Sequence, residues 1–177
     1  MNPRLFGLLL WLLLAPLSYA ADPITDYKLA AGDVLRITVF GEPELSIKKV
    51  RLNDAGTFSY PFLGEIVAKG LTPNQVERKI VDGLKQGYLI DPKVSISQIE
   101  YRPFYINGEV QKPGSYAFVP GLTLEKAIAL GGGLTERASM KRVTILRGDG
   151  GPPLEDNISR TTVISPGDTI SIAQGFF

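Results

Sequence analysis

Two aspartates have the strongest claim to chemistry in this chain. Asp33 and Asp168 each follow a glycine, in Ala31-Gly32-Asp33-Val34-Leu35 and Pro166-Gly167-Asp168-Thr169-Ile170. A pair of carboxylates can divide general-acid and general-base work, as glycoside hydrolysis requires. Turn chemistry competes for the same oxygens, because an aspartate in such a turn bonds nearby backbone N–H groups. The turn role is the one expected here. The 177 residues include no cysteine and no histidine. That removes thiol catalysis, thiolate metal sites and disulfides, together with the commonest general base and the commonest transition-metal ligand. No catalytic residue, metal or cofactor is expected.

The weaker signals resolve the same way. Gly131-Gly132-Gly133 follows a helical pattern instead of opening one, and no Gly-Lys-Ser/Thr comes after it, so it reads as a helix stop and not a phosphate cradle. Arg147-Gly148-Asp149 and Asn157-Ile158-Ser159 match an adhesion tripeptide and a glycosylation sequon by three common residues each. Phe58, Tyr60 and Phe62, with Tyr101, Phe104 and Tyr105, offer ring faces that suit sugars or strand packing; packing is the expectation, since aromatics are strand formers.

The elements that must position these residues centre on residues 105–134, which read as strand, turn, strand, helix and glycine stop. Asn107-Gly108 and Lys112-Pro113-Gly114 are turn signals, the second of type II. Residues 115–119 form the returning strand. Thr123 is an N-cap, and Leu124, Ala127 and Ile128 share one helical face. A hairpin followed by a short helix is the core of a small grasp-like α+β fold.

Earlier in the chain, residues 34–39 form a strand and residues 50–53 a second. Asp54-Ala55-Gly56 turns into a strand at 57–60, Pro61 bends the chain, and 64–68 is another strand. Residues 71–87 carry the clearest helix: Thr72 caps it, Pro73 sits at N1, Gln75 completes a capping box, and Val76, Ile80 and Leu84 make the buried stripe. Asp91-Pro92 precedes a strand at 94–101, and Pro103 marks a lobe boundary. Residues 142–147 form a strand, 161–164 an extended segment, and 169–173 the last strand.

Composition bounds the setting. Apolar residues make up 44% and charged residues 21% of the chain, with 19 basic and 18 acidic side chains. Such a chain folds, and its near-neutral charge argues against a nucleic-acid partner. Residues 1–20 read as a secretory signal: Arg4, an apolar run at 5–14, Pro16, and small residues at Ser18 and Ala20 place the cut before Ala21. The alternative is an uncleaved N-terminal anchor. The mature protein is expected outside the cytoplasm.

Two sets of motifs resemble one family. Leu29-Ala30-Ala31-Gly32-Asp33-Val34-Leu35, Val39-Phe40-Gly41-Glu42-Pro43-Glu44-Leu45-Ser46, Gly56, Tyr60-Pro61-Phe62-Leu63-Gly64 and Asp91-Pro92-Lys93-Val94 are similar to the polysaccharide export domain. Gly108-Glu109-Val110, Lys112-Pro113-Gly114, Leu122-Thr123-Leu124 and residues 127–135, with Gly132 and Gly133, are similar to the soluble ligand-binding β-grasp (SLBB) module that follows it in Wza-type outer-membrane export proteins. Gly167-Asp168 echoes Gly32-Asp33 in the closing strand. The resemblance implies an α+β protein of two mostly β lobes with one main helix each, an export domain over 26–102 and a grasp domain over 103–174. It assigns these motif residues structural roles and leaves the polysaccharide-contacting residues unknown.

What the resemblance implies for function is a non-enzymatic, ring-forming component of a capsule or exopolysaccharide export conduit in the periplasm, at the outer membrane. Its partners would be the polysaccharide, further copies of itself and an inner-membrane co-polymerase. Pore-forming members carry a lipidated cysteine and a C-terminal membrane helix. This sequence, without cysteine and ending at Phe177, is more similar to short members that dock beneath a separate outer-membrane β-barrel. A monomeric periplasmic glycan-binding module is the alternative, and a carboxylate-pair hydrolase or a lyase the third reading.

Overall fold

The computed structural model describes residues 27–175. Residues 1–26, with the secretory signal expected at 1–20, and Phe176-Phe177 lie outside them. The fold is α+β in two lobes, each with its own apolar cluster.

In the first lobe, β1 (Val34–Val39) is the centre of an antiparallel sheet, flanked by β2 (Ile47–Arg51) and β5 (Val94–Glu100). Strands β3 (Thr57–Tyr60) and β4 (Gly64–Val67) form a hairpin. Helix α1 (Pro73–Leu84) buries Val76, Ile80 and Leu84, as the i, i+4, i+8 spacing predicts. Its capping box is made: Gln75 N–H donates to Thr72 Oγ1 at 3.3 Å, and Thr72 N–H to Gln75 Oε1 at 2.8 Å. Phe58 and Tyr60 point inward from β3 and meet edge to face, and the Tyr60 hydroxyl donates to the Leu45 carbonyl at 2.8 Å.

In the second lobe, β6 (Phe104–Gly108), β7 (Gly114–Tyr116), β8 (Ala138–Leu146) and β9 (Thr169–Gln174) form a four-stranded sheet ordered β7-β6-β9-β8. The central β6–β9 pair is parallel and the outer pairs antiparallel. Helix α2 (Leu124–Leu130) buries Leu124, Ala127 and Ile128, and Thr123 Oγ1 accepts from Lys126 N–H. Gly131 is its C-cap, and Gly132 and Gly133 follow in the left-handed region.

Several boundaries differ from the sequence reading, some where distant groups take the backbone hydrogen bonds. The second strand covers Ile47–Arg51 and not residues 50–53. Leu52 N–H is taken by the Asp33 carbonyl, and Asn53 closes a turn by bonding Thr57 through backbone and side chain. Helix α1 stops at Leu84, ahead of Gly87. The returning strand β7 is only Gly114–Tyr116. Gly114 opens it without a positive φ, so Pro113-Gly114 is not the type II corner expected. The chain is turned earlier, by Gln111 N–H and Lys112 N–H donating to the Gly133 and Gly131 carbonyls at the end of α2. Residues 161–164 are extended, as expected, and Val163 forms an isolated antiparallel bridge with Thr123. They lie against the start of α2, where Leu124 and Glu125 N–H donate to the Thr162 and Arg160 carbonyls, satisfying helix-end donors. Strand β8 starts at Ala138, four residues before the expected 142, with an irregular register between Ala138 and Val143.

Gly108 shows why a glycine ends β6. Its φ is +82°, and a Cβ there would lie 2.1 Å from the Ile172 carbonyl oxygen. No other residue lets β6 and β9 approach this closely.

Candidate functional site: the joint between the lobes and an exposed aromatic pair

The two Gly-Asp turns are structural twins. Asp33 and Asp168 are both fully buried. In each turn a carboxylate oxygen accepts from the N–H three residues back: Asp33 Oδ2 from Ala30 at 2.9 Å, and Asp168 Oδ2 from Ser165 at 2.8 Å. Further donors reach both carboxylates. The Tyr27 hydroxyl donates to Asp33 Oδ2 at 2.7 Å, and Arg102 N–H to Asp33 Oδ1 at 3.2 Å. Gly148 N–H donates to Asp168 Oδ1 at 3.1 Å, and Arg147 Nη1 donates to Asp168 Oδ2 at 2.6 Å. Buried carboxylates held by three or more donors each are engaged as turn and joint acceptors, whereas a hydrolase needs a pair directed at its substrate.

Arg102 lies between the turns, at the passage from β5 to β6. Its backbone is tied to Asp33, and its guanidinium Nη1 donates to the Gly148 carbonyl at 2.9 Å. A Cβ on Gly167 would lie 3.3 Å from this side chain, and one on Gly32 3.9 Å from Arg102 Cβ. Gly32, Asp33, Gly167 and Asp168 are thus gathered around one arginine. A ladder of rings runs beside it: Tyr27 to Tyr101 at 5.3 Å, and Tyr101 to Phe118 at 5.3 Å, both edge to face. A cleft of about 330 Å³ opens here, lined by Tyr27, Lys28, Arg102, Asp149, Ser165, Pro166 and Asp168. Burial first, and then the Asp33 carboxylate, pushes the Tyr27 hydroxyl well above the usual tyrosine range; the same causes raise Tyr101. Both phenols stay neutral, and Tyr27 donates to Asp33. The joint is a fastening.

The other motif residues lie elsewhere. Gly56, Pro61 and Gly64 belong to the β3–β4 hairpin, and Asp91 and Pro92 precede β5. Gly108, Val110, Pro113, Gly114, Gly132 and Gly133 meet where α2 ends against β6 and β7. Among the described residues, no three acidic side chains gather as metal ligands, and no helix is long and apolar enough to cross a membrane.

Of the six aromatics weighed for sugar contact, Phe58, Tyr60 and Phe104 are core. Phe62 and Tyr105 are exposed. Phe62 stacks on Tyr88, with ring centroids 4.9 Å apart and planes 23° apart. Tyr88 follows Gly87 beyond the end of α1, and its hydroxyl donates to the Phe62 carbonyl at 3.4 Å. The sequence reading did not include Tyr88: it lies 26 residues from Phe62, and no local pattern pairs them.

Comparison with known proteins decides the family. Residues 21–98 match the polysaccharide biosynthesis/export protein family, and residues 103–154 match the SLBB domain. The chain belongs to the polysaccharide biosynthesis/export family, with an SLBB domain after the export domain, as in Wza-type proteins. An exopolysaccharide production protein, ExoF, of Rhizobium meliloti is 37% identical over 123 residues, covering 62% of this chain and 28% of that protein. EPS I polysaccharide export outer membrane proteins, EpsA, are 28% identical in Ralstonia nicotianae and 26% in Ralstonia solanacearum, each over 151 residues. Those matches cover 70% of this chain and 39% and 40% of the relatives. The chain therefore spans between about a quarter and two-fifths of the length of these relatives.

Proposed function

We propose that this protein is a non-enzymatic component of a polysaccharide export conduit, exported to the periplasm and associated with the outer membrane. Copies of the chain assemble into a ring through which a capsular polysaccharide or exopolysaccharide passes. An inner-membrane co-polymerase delivers the polymer, and a separate outer-membrane β-barrel takes it onward. The export lobe runs over residues 26–102 and the grasp lobe over 103–174, the latter because β9 is the central parallel partner of β6. The motif residues from Gly32 to Asp168 are the frame of this body and not its contact surface.

One observation carries the reading: an export domain is joined directly to an SLBB domain, and the two carboxylates a hydrolase would need are spent at that joint. Two lobes of this size bury a modest share of their surface, so neighbouring protomers would add stability. Light scattering of the purified chain across concentration, with and without mild detergent, tests the ring. A discrete oligomer of many protomers is expected. A strict monomer in both conditions overturns self-assembly. It would favour a monomeric glycan-binding module, a reading to which the exposed Phe62–Tyr88 pair lends support.

A further inference from the structure

Phe62 occupies a backbone conformation unsuited to its type. It is one of two non-glycine residues with positive φ among the described residues, at +64°. A bulky residue is strained there, whereas glycine or asparagine adopts the conformation readily. Core packing supplies no reason for a phenylalanine, since the residue is 65% exposed. Yet its ring is held in place. Tyr88 covers one face and also bonds the Phe62 carbonyl. The next residue, Leu63, lies so close to α1 that a Cβ on Gly83 would come within 2.7 Å of Leu63 Cδ1. Two distant segments thus fix a flat aromatic surface and leave its outer side to solvent.

We propose that Phe62 and Tyr88 form a stacking platform for the C–H face of a pyranose ring in the transported polysaccharide, which rests on the export reading above. An aromatic face carries negative quadrupole density and attracts the slightly positive C–H face of a sugar, while the sugar's hydroxyls stay at the hydrated rim. Lys85 and Gln86, exposed beside Tyr88 in sequence, are polar groups suited to that rim. The size of the surface points the same way. Two aromatic side chains bury about 150–250 Å² each at most, well short of the roughly 800 Å² per partner of a stable protein interface. One or two sugar rings fit that area. A weak contact repeated on each copy would guide a polymer without stopping it.

The test is affinity electrophoresis of the full chain in native gels containing the producing strain's own secreted polysaccharide. It is run for the wild type, Phe62→Asn, Tyr88→Ala and Phe62→Tyr, with thermal melting and light scattering of each. Phe62→Asn removes the ring and relieves the strain. We expect it to melt no lower than the wild type, keep the same mass and bind the polysaccharide about tenfold more weakly. Phe62→Tyr should retain binding, and Tyr88→Ala should lose it in part. Wild-type affinity in Phe62→Asn overturns the platform, as does a wild type that the polysaccharide does not retard. A smaller oligomer in Phe62→Asn also overturns it, by assigning the pair to a contact between copies, with the fully exposed Ile90 as an added apolar group. Normal secretion from a strain lacking the gene sinks the export reading itself, separately from what Phe62 binds.

Discussion

Replacing Asp168 with asparagine tests whether the second Gly-Asp turn is a fastening. The change conserves shape, so no cavity opens and the cost is electrostatic. Three donors converge on the two carboxylate oxygens: Ser165 N–H, Gly148 N–H and Arg147 Nη1. Asparagine has one carbonyl oxygen, so in either orientation its NH₂ group faces a donor. If the oxygen stays with Ser165 and Arg147, Gly148 N–H is stranded, at about 1–3 kcal/mol. Arg147 also loses its counter-charge, in a pair whose side chains are 24% and 1% exposed. Breaking a buried pair from one side costs about 3–5 kcal/mol, and the stranded N–H is part of that figure. At about 2–4 °C per kcal/mol for a chain of this length, the melting temperature should fall by roughly 6–20 °C. Calorimetry or circular dichroism reads this directly. The control is Asp91→Asn, whose exposed pair with Lys93 at 3.2 Å should matter by less than about 1 kcal/mol. If Asp168→Asn melts as the control does, the fastening argument is wrong. Arg147→Met completes a double-mutant cycle, and additive losses would show that the two side chains are not coupled.

Further expectations concern the backbone, the tyrosines and a cap. Gly108→Ala should destabilise by about 3 kcal/mol or more, since the new Cβ would meet the Ile172 carbonyl oxygen of the neighbouring strand. Gly133→Ala, with positive φ but open space, should cost only about 1–2 kcal/mol, and denaturant titration separates the two. Tyr27, Tyr60 and Tyr101 all hold their protons more tightly when folded, mainly through burial. Their contribution is therefore fully present below the ordinary tyrosine value of 10.0 and is lost as pH rises above it. The urea midpoint should fall in that alkaline range, and less steeply in Tyr27→Phe. A native tyrosine titration centred on the ordinary value would refute this. Thr72→Ala removes one half of the capping box and should cost about 1 kcal/mol by the same titration.

Much of this architecture was legible from local chemistry. The Thr72 cap, the Val76, Ile80 and Leu84 stripe, the helix at Leu124–Leu130 and the strands at Val34–Val39 and Thr169–Gln174 are written in short-range patterns that tertiary packing supports. The aspartates were legible as turn residues because an Asp bonds its neighbours whatever the rest of the chain does. Features set by distant partners were not. The extended 161–164 was legible but its pairing with the α2 start was not, and β7 is cut short where Phe118 leaves the strand to meet Tyr101 and Val119 enters a turn with Leu122. The Arg102 joint and the Phe62–Tyr88 stack each depend on groups many residues apart. The positive φ at Phe62 had no signal in the sequence, since its type predicts the opposite.

The central claim is that the chain moves a polysaccharide without altering it. Deleting the gene in the producing strain and measuring secreted polymer, by amount and by chain length, tests this most directly. The account predicts that secretion falls to background, that the intact chain restores it, and that the restored polymer keeps its normal length and repeat. Undiminished secretion, or polymer of normal amount but changed length or composition, would contradict it.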